Sequence, residues 1–314
     1  MYVDVQALSA PAALKYLQLG PLNYALVPHD AWGEQTISAI GRHFPLSFDD
    51  KRDVKRIIHL KRLADAGNGA IHEPFPAQEI RTILSEEALG LTWQQHGNVL
   101  NTVWHSHQTS HALWISPADD SVGILRFHLP WDLLLHDLAE LGGGLIHAGM
   151  AVHNHHAWLF LAQPGGGKCT SLAKAPADWQ VPADDAALIC PELDGHWRLF
   201  PLLSWSTMLA SPGAAVASTC MAPGTFTLGG MLILEKAAEV QFGKLSPVAA
   251  AAQIYCALTQ YPAIFLCDHI HHEPFFRSAC QLARQVPCWQ LELPLGGDIW
   301  PGVAGLEGAC GGNR

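Results

Sequence analysis

The sequence predicts an α/β fold, and three observations carry that reading. A helical run over Trp131 to Leu141 is followed by strand, turn and strand, and the second strand leads directly into Gly165-Gly166-Gly167-Lys168. Upstream, short apolar runs alternate with turn signals such as Ala66-Gly67-Asn68-Gly69, which reads as a mixed α+β region. Of the 314 residues, 49% are hydrophobic and only 15% are charged, against about 25% charged in ordinary globular chains. Such a chain buries enough apolar surface to offset its ordering entropy, which excludes disorder.

The elements follow in order. Lys51 to Leu63 holds six basic residues, Lys51, Arg52, Lys55, Arg56, Lys61 and Arg62. It reads as a solvated helix or edge strand, with docking of an acidic peptide segment as the alternative. Asn101 to Ser116 reads as a hairpin, two runs rich in Val, Trp and Leu flanking His107-Gln108-Thr109-Ser110. Trp131, Leu134, Leu135 and Leu138 recur at helical spacing, with Asp132, Asp137 and Glu140 between them, and Gly142-Gly143-Gly144 ends the helix. Leu145 to Val152 then reads as a strand, His153 to His156 as a turn, and Ala157 to Ala162 as a second strand. Ser171 to Ala175 is a short helical run beyond the glycines.

Composition also narrows the partners. With 18 Lys or Arg against 28 Asp or Glu, the formal net charge is -10, and binding to nucleic acid or an anionic membrane needs a basic face instead. No stretch supplies the roughly 20 mostly apolar residues of a membrane span. Met1-Tyr2-Val3-Asp4-Val5 lacks the basic and then apolar segment of a secretory signal. A cytoplasmic protein without membrane or nucleic-acid partners is expected. In that reducing compartment the eight cysteines, at 169, 190, 220, 256, 267, 280, 288 and 310, are expected to be small buried hydrophobes.

The stretch Ala162-Gln163-Pro164-Gly165-Gly166-Gly167-Lys168-Cys169-Thr170 is close to the P-loop pattern G-x-x-x-x-G-K-[ST]. In such a loop glycines let backbone N–H groups point at phosphate oxygens, and the lysine neutralises the β- and γ-phosphates. Gly165, Gly166, Gly167, Lys168, Cys169 and Thr170 are therefore the candidate phosphate-binding residues. Two positions depart from the pattern. Ala162 replaces the first glycine, and Cys169 replaces the hydroxyl that binds Mg²⁺, where a soft thiol is a poor ligand for a hard cation. A glycine-rich turn with an exposed lysine is the competing reading. Asp184 and Asp185 stand just before the apolar run Ala186 to Ile189. Phosphoryl transfer needs a carboxylate for the metal and usually another to accept the hydroxyl proton, although a capped turn explains the pair equally well.

His147, the hairpin, Gly165-Gly166-Gly167-Lys168 and Ala183-Asp184-Asp185 together resemble the core of the HPr kinase/phosphorylase family. Its members carry a His-Gly before the hairpin, a G-x-x-G-x-G-K-[ST] loop and an Ala-Asp-Asp after the loop's helix. In this chain the His-Gly is loosened to His147-Ala148-Gly149. Pro201-Leu202-Leu203-Ser204-Trp205-Ser206 and the stretch from Val286-Pro287-Cys288-Trp289 to Asp298-Ile299-Trp300-Pro301 are similar to the divergent branch found in peptide-modification gene cassettes, that of SynChlorMet cassette protein ScmC. The resemblance covers about residues 121 to 305. It implies a P-loop core of the phosphoenolpyruvate-carboxykinase type over residues 121–314, with 1–120 as an accessory or substrate-docking domain.

The same resemblance implies an ATP- and Mg²⁺-dependent kinase that phosphorylates a hydroxyl of a peptide or small protein, in peptide natural-product modification, and that assembles as a homo-oligomer. Lys168 would hold the phosphates, and Asp184 and Asp185 would share the roles of base and metal or substrate ligand, with Asp185 as the metal ligand. His147 would lie near the reacting phosphoryl group. The family's acidic residue just after the loop's Lys-Ser is absent, with Thr170 in its place. A catalytically weak nucleotide- or peptide-binding module is the alternative.

His105/His107/His111, His153/His155/His156 and His269/His271/His272 invite comparison with metal sites. A zinc site needs three or four ligands converging at about 2.0–2.3 Å, and clustered turn histidines read more simply as surface imidazoles. Trp205 is either a stacking surface for a base or substrate side chain, or a core residue.

Overall fold

The computed structural model describes residues 14–41, 44, 46–47, 54–62, 77–84, 86–97, 102–106, 108–116, 131–163, 165–202, 225–260, 272–294 and 296–311. Ala66 to Gly69, Lys51, Arg52, His107, Pro164, Trp205, Cys220, Cys267, His269 and His271 lie outside these. The protein is a mixed α/β chain that divides into two compact units between Asp137 and Leu138.

The first unit carries β1 (Lys15–Leu19), β2 (Leu22–Pro28), α1 (Ala31–Gly41), β3 (Leu46–Ser47), β4 (Arg56–Arg62), α2 (Ala77–Ile83), β5 (Gln94–Gly97), β6 (Thr102–His105) and β7 (His111–Ser116), and α3 (Trp131–Glu140) crosses the division. Its sheet runs β3-β1-β2-β4-β7-β6-β5. The pairings of β4 with β2 and with β7 are parallel. The predicted hairpin is present as β6 and β7, paired antiparallel.

The basic stretch is not the solvated helix or edge strand that its charges suggested. Its described part is β4, the central strand, buried from Arg56 to Leu60. A parallel strand needs an apolar run, and Ile57, Ile58 and Leu60 supply it between charged ends. Arg56 is tolerated there because Asp137 accepts from its Nε at 2.9 Å and its Nη2 at 2.6 Å, and also from the Tyr24 hydroxyl at 3.1 Å. Burial pushes the Asp137 carboxyl up, but hydrogen bonds from His136 and Arg56 and the charges of Arg56 and Lys55 outweigh it and hold the group below its ordinary range.

Three imidazoles form a hydrogen-bonded row across the same strands. His59 Nδ1 lies 2.9 Å from His29 Nε2, and His59 Nε2 lies 2.9 Å from His111 Nδ1. His59 is only 3% exposed, so His111 belongs to this row and is no surface imidazole. Burial, with the neighbouring His111 and His29, pushes His59 down to about 2. Burial also lowers His111, and it lowers His29 with help from Lys61 against the opposing charge of Asp30. The unfolded chain takes up protons near pH 6.5 while the folded row does not. The row's stability is therefore fully present above that pH and lost as pH falls below it, by about 2 kcal/mol at pH 5 for His59 alone. Urea unfolding at pH 7.5 and 5 measures this. His59→Leu should flatten the difference, and an equally steep loss in that variant would contradict the account.

The second unit carries β8 (Gly144–His147), β9 (Gly149–His153), β10 (His156–Leu161), α4 (Lys168–Leu172), β11 (Gln180–Ala183), β12 (Ala186–Pro191), β13 (Trp197–Leu202), β14 (Phe226–Lys236), β15 (Gln241–Lys244), α5 (Pro247–Thr259), α6 (His272–Gln285), β16 (Cys288–Leu293) and α7 (Trp300–Gly311). The sheet runs β11-β9-β10-β14-β13-β12-β8, and β16 also joins β14 and pairs with β15. The pairings of β14 with β10 and β16 are parallel.

Two expectations for this unit change. Leu145 to Val152 is not one strand, because it breaks at Ala148. Its first half pairs with β12, and its second half pairs with β10 and β11. At the step, Gly149 leaves room for Leu172, whose Cδ1 would lie 2.3 Å from an added Cβ. The short helix begins at Lys168, three residues earlier than expected, because Gly167 caps it with φ 102°.

The cysteine expectation holds in part. Cys190 and Cys288 are buried, and burial pushes both thiols up to about 12. Cys169, by contrast, is exposed, and Cys256 and Cys280 are half-buried. No described helix is long and apolar enough to cross a membrane.

Candidate functional site

The glycine loop leaves the end of the buried strand β10 and enters α4. Gly166 N donates to Gln163 O at 2.8 Å, closing the turn. Gly165 (φ 74°) and Gly167 (φ 102°) use left-handed backbone, which costs a side-chain-bearing residue about 1–2 kcal/mol. At Gly166 the demand is spatial, since an added Cβ would lie 2.8 Å from Ala162 Cβ and 2.9 Å from Gln163 O. The first-turn N–H groups of Lys168, Cys169 and Thr170 have no helical carbonyl one turn back to bond to. Aromatic packing fixes the short helix. Trp300 Nε1 donates to Ser171 O at 3.2 Å, and Leu172 joins Trp158, Phe160, Trp179 and Trp300 in one buried cluster.

Lys168 is 7% exposed, and its amine has no hydrogen-bond partner among the described residues. Its nearest charge is Asp185 Oδ1 at 3.8 Å, an ion pair too long for a hydrogen bond. His147 Nε2 lies 3.0 Å from the same oxygen, and an ionised carboxylate can only accept, so His147 is the donor. The antiparallel pairing of β8 with β12 sets this geometry, because His147 lies opposite Ala186, next in sequence to Asp185. Burial lowers the Lys168 amine, against the charges of Asp185, Cys169 and Asp184. The hydrogen bond from His147, followed by the charges of His147 and Lys168, holds the Asp185 carboxyl below its ordinary range despite burial.

These groups open onto a cavity of about 460 Å³. His147, Asp185 and the whole of Gly165 to Thr170 line it. Asp184 is half-buried and is not in the lining, and its carbonyl packs toward Gly149. Lys174, Lys236 and the turn after β16 also line the cavity, and the sequence reading missed them. Gly296-Gly297 was a visible signal for that turn, but nothing local ties it to a loop so far upstream.

Fold and site together define a mixed α/β protein whose glycine loop presents a buried lysine to a pocket. The lysine's partner across that pocket is a carboxylate held by a histidine. The chain belongs to the family of SynChlorMet cassette protein ScmC, whose sequence model matches residues 114–306, more than half of its length and the entire pocket lining. No curated protein matches the chain.

Proposed function

We propose that the second unit is an HPr-kinase-like P-loop core that transfers the γ-phosphoryl group of ATP to a hydroxyl of a peptide or small protein, in peptide natural-product modification. The observation that carries this reading is the Lys168 amine, buried without a hydrogen-bond partner among the described residues and lining the cavity. A buried ammonium is stabilised by an anion, and a phosphate oxygen reaching the glycine-loop amides supplies one. The donor set also fits Mg²⁺, with one qualification. Cys169 is a poor ligand, but Mg²⁺ is commonly held by one or two carboxylates plus substrate phosphates, and Asp185 lines the cavity. When bound, the metal supplies charge neutralisation at the phosphates.

The chain's own residues then act by positioning and charge. The acceptor oxygen attacks the γ-phosphorus, the bond to the β–γ bridging oxygen breaks, and Lys168 neutralises the charge that develops there. His147 fixes the Asp185 carboxylate as metal ligand. Asp184, next in sequence to Asp185 but outside the cavity lining, takes the acceptor's proton on the strength of the family resemblance.

Isothermal titration with ATP, with and without Mg²⁺, and mass spectrometry of candidate peptides test this. Asp185→Asn should erase the Mg²⁺ dependence of ATP binding. Asp184→Asn should keep binding and lose turnover by about 10²–10⁴-fold. The exposed Cys169 at the hydroxyl position favours a second reading, a nucleotide- or peptide-binding module without catalysis. ATP binding indifferent to Mg²⁺, with no phosphorylated product, would establish that reading instead.

A further inference from the structure

The P-loop pattern puts a serine or threonine directly after the lysine, and that hydroxyl meets the metal. In this chain a thiol stands there instead. Cys169 is exposed and lines the cavity. Thr170 lines it too, but one step along a helix turns a side chain by about 100°, so it does not take over the position. The start of α4 is fixed, by Gly167 at φ 102° and by the bond from Trp300 Nε1 to Ser171 O.

The cysteine does not stand alone. Asp185 lines the same cavity, with its carboxylate held by His147 at 3.0 Å. The charges of Asp185, Cys169 and Asp184 all bear on the Lys168 amine, which gathers thiol and carboxylate around one group. That amine is an independent sign of a ligand. It is 7% exposed, has no hydrogen-bond partner among the described residues and lines this cavity, so it calls for an anion there. The lining also sets Lys168, Lys174 and Lys236 against Asp185. A divalent cation entering such a cavity gains from further negative ligands. A hydroxyl is neutral, whereas a thiolate brings a charge.

A hard ion such as Mg²⁺ gains little from sulfur. Zn²⁺ takes thiolate and carboxylate ligands alike, and Co²⁺ is its near neighbour in affinity order. We infer that Cys169 and Asp185 make this pocket a site for a borderline divalent ion of the Co²⁺ and Zn²⁺ class, bound together with the ligand's phosphates, with Mg²⁺ the weaker substitute. The inference rests on the phosphate-pocket reading of Lys168 and adds which metal accompanies the nucleotide.

Co²⁺ is the probe, because a thiolate bound to it absorbs in the near ultraviolet and an oxygen ligand does not. The full chain is kept reduced with a phosphine, since a thiol reductant would compete for the metal. Isothermal titration with ATP at saturating metal should give a Kd at least about tenfold lower in Co²⁺ than in Mg²⁺. The absorption band should grow as ATP is added. Cys169→Ser should lose the band and bring the two metals within about twofold. Cys256→Ser and Cys280→Ser, at half-buried thiols outside the cavity lining, should keep both properties. Equal ATP affinities in the two metals for wild type, or a band that survives in Cys169→Ser, overturn the thiolate site and leave the phosphate pocket standing. ATP bound with neither metal overturns both.

Discussion

Lys168→Ala should abolish phosphoryl transfer, by about 10³-fold, while the protein stays folded. The side chain is 7% exposed, and its amine makes no hydrogen bond to any described residue. Its burial is thus a cost to the fold, which the 3.8 Å pair with Asp185 offsets only in part. Alanine removes that cost together with the charge, so the urea unfolding midpoint should hold or rise. Transfer should collapse because no other group in the lining combines a positive charge with a seat inside the glycine loop. Label transfer from γ-labelled ATP to a peptide acceptor measures the first effect and the unfolding curve measures the second. Retained transfer would end the kinase assignment. Lys168→Arg should not rescue, since a planar fork does not replace a compact ammonium in a cavity formed around one.

Asp137→Ala should have the largest effect on stability, about 3–5 kcal/mol. Asp137 is fully buried, and it accepts from Arg56, itself only 4% exposed, and from Tyr24. Removing the carboxylate takes this partner from a buried guanidinium in the middle of the sheet and leaves the tyrosine hydroxyl without this acceptor. Guanidinium-chloride unfolding followed by tryptophan fluorescence gives the size of the loss. Removing both charges should cost far less, because no buried ion is then left to lose its carboxylate partner. The pair Arg56→Met with Asp137→Leu should therefore recover most of the stability. A double variant as weak as Asp137→Ala would mean that packing, and not the loss of the ion pair, sets the cost.

What the sequence showed plainly was whatever is written locally. The hairpin of β6 and β7, the helix α3 and the turn between β9 and β10 each follow from spacing or turn residues within a short window. The glycine loop was equally legible, and the resemblance drew His147 and the Asp pair to one site, without giving the hydrogen bond between His147 and Asp185. The misreadings have a common cause in distant partners. Arg56 looks solvated until Asp137, 81 residues away, neutralises it. The break at Ala148 reflects which strands flank each half, and no window of sequence contains them. Lys174 and Gly296 meet across 122 residues. Neither signals the other, so half of the pocket wall was invisible.

The row of His29, His59 and His111 has a property beyond its sensitivity to acid. Each neutral imidazole owns a single N–H, so the row's two hydrogen bonds must run in the same direction. Only two arrangements exist. In one, the outer nitrogen of His29 keeps a lone pair and that of His111 carries a proton; in the other, the roles are exchanged. Whatever takes a lone pair or gives a proton at one end thereby fixes the tautomer at the other, with the whole strand β4 between them and no backbone movement required.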